Sequence, residues 1–128
     1  MITIEHVAYA AENTTELAHW YRDVLGFEIV YESAGEPKAY FVQDPNGMAI
    51  EVVPPGTDGK TTDGVANHLA LWVEDFDAAK KQLQAKGVEF EPEAANAFFG
   101  GTRIAFFTDP AGHRIQIIWR KQRLPNQR

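Results

Sequence analysis

The chain contains no cysteine. Disulfides, thiolate zinc sites and thiol nucleophiles are therefore excluded. Long hydrophobic runs are also missing. Stretches such as Ile104-Ala105-Phe106-Phe107 stop after a handful of residues, whereas a membrane-spanning helix needs about 20, so no membrane partner is expected. The opening Met1-Ile2-Thr3-Ile4-Glu5 has neither the basic stretch nor the long apolar core of a secretory signal. A cytoplasmic location is the expectation. Positive charge is scarce except at the C-terminal end. Residues Arg120 to Arg128 hold four of the twelve basic residues and no acid, which leaves eight bases against eighteen acids, a net −10, in the rest of the chain. Such a body repels phosphate backbones, so nucleic-acid binding is not expected. The short basic tail reads as a frayed, solvated terminus.

What the chain does have is ordinary in amount and unusual in arrangement. Its 128 residues, 45% of them hydrophobic, suffice for one globular domain with a real core. Two Asp-Pro-x-Gly turns, Asp44-Pro45-Asn46-Gly47 and Asp109-Pro110-Ala111-Gly112, lie 65 residues apart, and each leads into an apolar run. Leu25-Gly26-Phe27 matches Lys86-Gly87-Val88 at an offset of 61, and His6-Val7-Ala8 matches His68-Leu69-Ala70 at 62. Landmarks repeated in the same order at nearly constant offset mark an internal duplication.

Each copy reads as βαβββ. His6–Ala10 and 67–73 are short strands. Asn13 is the N-cap of a helix whose stripe is Leu17, Trp20, Tyr21, Val24 and Leu25, closed by Gly26. In the second copy Asp75 caps, Phe76, Ala79 and Leu83 form the stripe, and Gly87 stops the helix. Three strands follow each helix: 27–31, 39–42 and 48–53, then 88–91, 102–107 and 114–119. Module 1 thus covers about residues 1–54, a linker 54–64, module 2 about 65–120, and the tail 120–128. The fold class is α+β, with eight strands in paired modules. A single unit of ~55 residues is too small to cover both faces of its sheet, so the face without the helix must meet something else.

Strand alternation sorts the side chains. His6 and His68 open equivalent strands; Glu51 and Gln116 occupy equivalent places in the strands that end each copy. With Ile50, Val52, Ile115 and Ile117 on the helix side, all four polar residues fall on the opposite face. Taken singly, each has an ordinary explanation: a strand histidine is usually a satisfied side chain, and a Glu among Ile and Val usually lies on a solvated face. Together, two imidazoles, a carboxylate and an amide oxygen form a donor set for a borderline divalent metal. Tyr40, Trp72, Phe98, Phe99 and Arg114 are candidate lining residues of a substrate cleft, with the Phe98-Phe99-Gly100-Gly101 segment a candidate lid.

These residues and turns resemble the vicinal oxygen chelate superfamily, which includes glyoxalase I, bleomycin-resistance proteins, fosfomycin-resistance enzymes, extradiol dioxygenases and methylmalonyl-CoA epimerase. The resemblance runs over residues 1 to about 120. It rests on the paired βαβββ order, on Tyr21-x-x-x-Leu25-Gly26-Phe27, and on the run from Asp44 to Glu51. It implies a U-shaped cleft with one divalent metal (Zn, Ni, Co, Mn or Fe) on His6, Glu51, His68 and Gln116. It implies a small chelating oxygenated substrate, proton transfer through a metal-stabilised enolate with Glu51 as the base, and a homodimer. Where glyoxalase I carries a glutathione-binding Arg and Asn, this chain has Ala10 and Pro55, which argues against a glutathione adduct. Two alternatives stand beside this reading. An extradiol dioxygenase would use His6, His68 and Glu51 around ferrous iron and needs an extra acid–base histidine; of the two spare ones, His19 falls on the outer helix, and His113, which could reach a cleft rim, reads rather as a turn residue. A non-catalytic ligand-binding or resistance protein would use the aromatic residues alone.

Overall fold

The computed structural model describes residues 1, 4–62, 67–92, 101–124 and 127. The architecture is mixed α+β. The elements are β1 (His6–Ala10), α1 (Thr14–Leu25), β2 (Glu28–Glu32), β3 (Tyr40–Gln43), β4 (Ala49–Val53), β5 (Leu69–Trp72), α2 (Phe76–Ala85), β6 (Thr102–Thr108) and β7 (Arg114–Arg120). They form two compact units. Unit 1 comprises residues 1–67 together with 108–113; unit 2 comprises 68–107 and 114–128.

In unit 1 the helix begins and ends where its caps dictate. The Asn13 side chain accepts the Glu16 N–H at 3.0 Å, satisfying one of the orphan donors of the first turn. Gly26 adopts φ 76°, the left-handed conformation that closes a helix at low steric cost. Leu17, Ala18 and Tyr21 are buried against a four-stranded sheet ordered β1-β4-β3-β2. The edge strand β1 runs parallel to the inner strand β4 with Ala8 aligned to Glu51; β3 and β4 run antiparallel with Tyr40 aligned to Val52 and Phe41 to Glu51. Aligned residues share a face. Val42, Ile50, Val52 and Tyr40 are buried on the helix side, so Phe41, Glu51, Ala8 and His6 stand on the other.

Unit 2 repeats the plan on a smaller scale, with a three-stranded sheet ordered β5-β7-β6. Asp75 caps α2 by accepting the Ala78 N–H at 3.0 Å. The helix ends at Ala85 with Lys86 as its cap, one residue before the expected glycine stop. Gly87, at φ 92°, then turns the chain so that the Val88 N–H donates to the Leu83 carbonyl at 3.0 Å. Strands β5 and β7 are parallel with Ala70 aligned to Gln116, the same placement that pairs Ala8 with Glu51 in unit 1. Ile115 and Ile117 are buried, as are Ala105, Phe107 and Phe76.

One expected strand is missing. Residues 88–91 pair with β6 through a single bond, from the Glu91 N–H to the Phe106 carbonyl at 2.8 Å. The described residues therefore hold seven strands, where the repeat predicted eight. Pro92, which follows, has no N–H to donate to a ladder. The tail also departs from expectation. Strand β7 runs on to Arg120, the Lys121 N–H donates to the Gly101 carbonyl at 3.3 Å, and the Arg123 guanidinium lies 4.1 Å from the Trp72 ring centre. The start of the basic segment is thus packed, and the frayed-tail reading fails for these residues.

The duplication extends to individual hydrogen bonds. Asp44 Oδ1 accepts the N–H groups of Asn46 and Met48, and Asp109 Oδ1 accepts those of Ala111 and His113, all at 2.9 Å. Gly47 and Gly112 follow at φ 85° and 90°, where a side chain would be strained. Each turn sets the register of the strand that ends its copy, and so places Glu51 and Gln116.

Candidate functional site

On the open face of the unit 1 sheet, His6 Nε2 lies 3.8 Å from Glu51 Oε1, with both side chains about one-third exposed. The other ring nitrogen, Nδ1, lies 2.9 Å from Glu5 Oε1. In the tautomer that carries its proton on Nδ1, that proton is donated to Glu5 and the Nε2 lone pair faces Glu51. The Phe41 ring stands edge-on to the imidazole, with centroids 5.2 Å apart and planes at 88°. Adjacent donors on one ion at metal–ligand distances near 2.1 Å lie about 3.0–3.4 Å apart, so this pair would have to close by a few tenths of an ångström to share an ion. The donor chemistry fits a divalent metal.

On the corresponding face of unit 2, His68 stands edge-on to Phe106, with centroids 5.4 Å apart and planes at 88°. The Arg114 guanidinium lies 3.6 Å from the Phe106 ring centre and donates from Nε to Glu91 Oε2 at 3.2 Å and from Nη2 to Oε1 at 3.5 Å. Gln116, two residues along β7 from Arg114, shares this face and is only 7% exposed. Trp72 lies on the same face, beneath Arg123. Among the described residues, no group of three or more His, Asp or Glu side chains is gathered closely enough to hold a metal ion. In unit 1 His6 and Glu51 stand together, and in unit 2 His68 and Gln116 lie on one face of the sheet.

One expected lining residue needs correction. Tyr40 is buried on the helix side; its hydroxyl is 2.7 Å from Thr15 Oγ1 of α1. It belongs to the core, because its aligned partner Val52 faces the helix. Phe41 takes the place on the open face that Tyr40 was expected to fill. The register that reveals this follows from the Asp44 turn, which pairs Gln43 with Ala49. Phe98 and Phe99 lie outside the described residues. Neither spare histidine stands on the open face of the unit 1 sheet. His19 lies on α1 with its ring 6.4 Å from that of Tyr40, and His113 is engaged in a buried cluster.

That cluster was not anticipated from sequence. The carboxylate of Asp109, with no exposed side-chain surface, has its Oδ2 2.7 Å from His113 Nδ1 and accepts the Tyr21 hydroxyl at 3.0 Å. His113 is 6% exposed and stacks on Tyr9, with centroids 4.3 Å apart and planes at 15°. Its Nε2 is buried and has no hydrogen-bond partner among the described residues. Burial, and then the negative charge of Asp109, hold the Tyr21 phenol well above its ordinary value. In the folded protein Tyr21 therefore stays protonated at pH values where the unfolded chain ionises, near 10. This contribution to stability is whole below that pH and falls as pH rises through the folded value. A denaturant midpoint that drops between pH 10 and 11.5 is expected, with a shallower drop in Tyr21→Phe. Equal slopes would show that Tyr21 ionises alike in both states.

Comparison with known proteins points one way. The model of the glyoxalase/bleomycin resistance protein/dioxygenase superfamily matches residues 3–117. Protein YwkD of Bacillus subtilis is 30% identical over 115 residues, covering 84% of this chain and 89% of that one. The lactoylglutathione lyase of Haemophilus influenzae is 29% identical over 109 residues, covering 80% and 81%. The fold is shared with a superfamily member of Sphaerobacter thermophilus, at a TM-score of 0.76 and 23% identity, covering 92% of this chain and 97% of that one.

Proposed function

Since the chain belongs to the glyoxalase/bleomycin resistance protein/dioxygenase superfamily, we propose that it is a metal-dependent enzyme moving a proton on a small, chelating, oxygenated substrate. The observation that carries this reading is the His6–Glu51 pair, an imidazole and a carboxylate set 3.8 Å apart on one sheet face. His6, Glu51, His68 and Gln116 are the proposed ligands. A divalent ion held by them supplies Lewis-acid polarisation of the substrate oxygens.

The chain's own residues do the rest. Glu51 is the only carboxylate of the four and takes the proton from the carbon beside the substrate carbonyl, then returns it to the neighbouring position. Gln116 holds its place as a neutral oxygen and moves no proton. Arg114, braced by Glu91 and stacked on Phe106, presents positive charge on the face that carries His68, which favours an anionic substrate group. Ala10 and Pro55 offer no charge or amide for glutathione carboxylates, so the proposed substrate is not a glutathione adduct. A homodimer in the cytoplasm is part of the same proposal. Sedimentation showing only monomer at micromolar concentration would contradict the dimer.

The test is solvent-deuterium exchange, followed by NMR, into a panel of small α-hydroxyketones and α-hydroxyacids. Exchange that requires added divalent metal is the expected result. Ring cleavage of a catechol by the ferrous protein under oxygen, with no exchange in the panel, would replace this reading with the dioxygenase one.

A further inference from the structure

Phe41 and Phe106 lie 65 residues apart, the offset of the two Asp-Pro turns, and each meets the histidine of its own copy in the same way. The contacts measure 5.2 and 5.4 Å between centroids, both at 88°. The duplicated strands have diverged at most other positions of this face: Glu51 corresponds to Gln116 and Ala49 to Arg114. A contact kept in both halves to within 0.2 Å while its neighbours changed has a task common to both.

We infer that Phe41 and Phe106 are positioning residues that fix the planes of the His6 and His68 imidazoles for metal coordination. This rests on the metal-site reading given above. An imidazole on a strand turns freely about its last side-chain bond, and only a narrow range of that torsion aims a ring nitrogen at an ion. The edge-to-face contact removes that freedom, because the positive ring edge prefers the negative ring face and rotation drives atoms together. In unit 1 the register also sets Phe41 directly beside Glu51, so one ring flanks both donors. Each phenylalanine is itself braced from a further side. Tyr31 lies 6.0 Å from Phe41 at 65°, and the Arg114 guanidinium, held by Glu91, lies 3.6 Å from Phe106. The bracing groups differ between the copies while the Phe–His geometry does not. The conserved element of the device is therefore the ring against the imidazole.

The experiment titrates metal-free protein with Mn²⁺ by calorimetry and records its melting temperature without metal. Phe41→Leu and Phe106→Leu keep apolar volume but remove the ring. Each is expected to weaken Mn²⁺ binding about tenfold or more, as loss of a group orienting a metal ligand does, with the metal-free melting temperature changing little. Phe41→Tyr restores the ring and is expected to bind as wild type. Wild-type affinity in both leucine variants would overturn the inference, as would a loss of affinity in Phe41→Tyr equal to that in Phe41→Leu. His6→Ala separates this from the underlying reading. If it too binds Mn²⁺ as wild type, the metal site is not at His6, and the positioning role falls with it.

Discussion

Glu51→Gln is expected to abolish turnover and to weaken divalent-metal binding by at least about tenfold, some 1.4 kcal/mol. The variant is nearly the same size and leaves the β1–β4 ladder intact, so the loss reports charge and basicity alone. In the proposed site, two neutral imidazoles, a neutral amide and Glu51 would supply one negative charge to a doubly charged ion. Replacing Glu51 removes the only anion among the donors, and it also removes the base, whose contribution to such reactions is about 10²–10⁴-fold. Gln116→Glu adds a second anion at the equivalent place in the repeat and is expected to tighten the metal. Calorimetric titration of both variants checks the pair of expectations. Equal affinity in wild type and Glu51→Gln would mean that Glu51 is not a ligand.

The second large effect lies away from the proposed site. Asp109→Ala is expected to destabilise the fold by about 3–5 kcal/mol, the cost of leaving buried partners without their charge. Four donors lose their acceptor together: the Tyr21 hydroxyl, His113 Nδ1–H and the N–H groups of Ala111 and His113. Asp44→Ala, in the matching turn of the first copy, strips acceptors only from the exposed Asn46 and Met48 N–H groups. It is expected to cost about 1 kcal/mol, since water replaces them. Urea unfolding of the two variants side by side measures the difference. Similar losses would show that burial adds nothing at Asp109.

The repeat explains why so much of the architecture could be read in advance. Asn13, Gly26 and Asp75 act through local geometry that the sequence spells out, and all three do what their types predict. The faces of β4, β5 and β7 followed from alternation because each carries branched apolar residues on one side, and β1 follows β4 through Val7 and Tyr9. Strand β3 carries aromatic side chains on both faces, Tyr40 toward α1 and Phe41 toward His6. Its pattern alone therefore has no sidedness, and register is needed to resolve it. The Asp109 cluster was illegible for another reason. Its bond to Tyr21 joins residues 88 apart, and no periodicity reports a contact of that range. His113 read as a turn residue because its neighbours in sequence say nothing of Tyr9.

The burial of Asp109 and His113 among residues of the first copy has a consequence for how the duplicated halves relate. By sequence the 108–113 turn belongs to the second copy, yet it packs as part of unit 1. A polypeptide severed within residues 54–62 would yield one fragment lacking the groups that cover Tyr9 and Tyr21, and another displaying an unburied carboxylate–imidazole pair. Neither fragment inherits a finished interior. Mixed together, the two pieces should complement: intrinsic tyrosine fluorescence and circular dichroism would recover only when both are present, in a concentration-dependent manner.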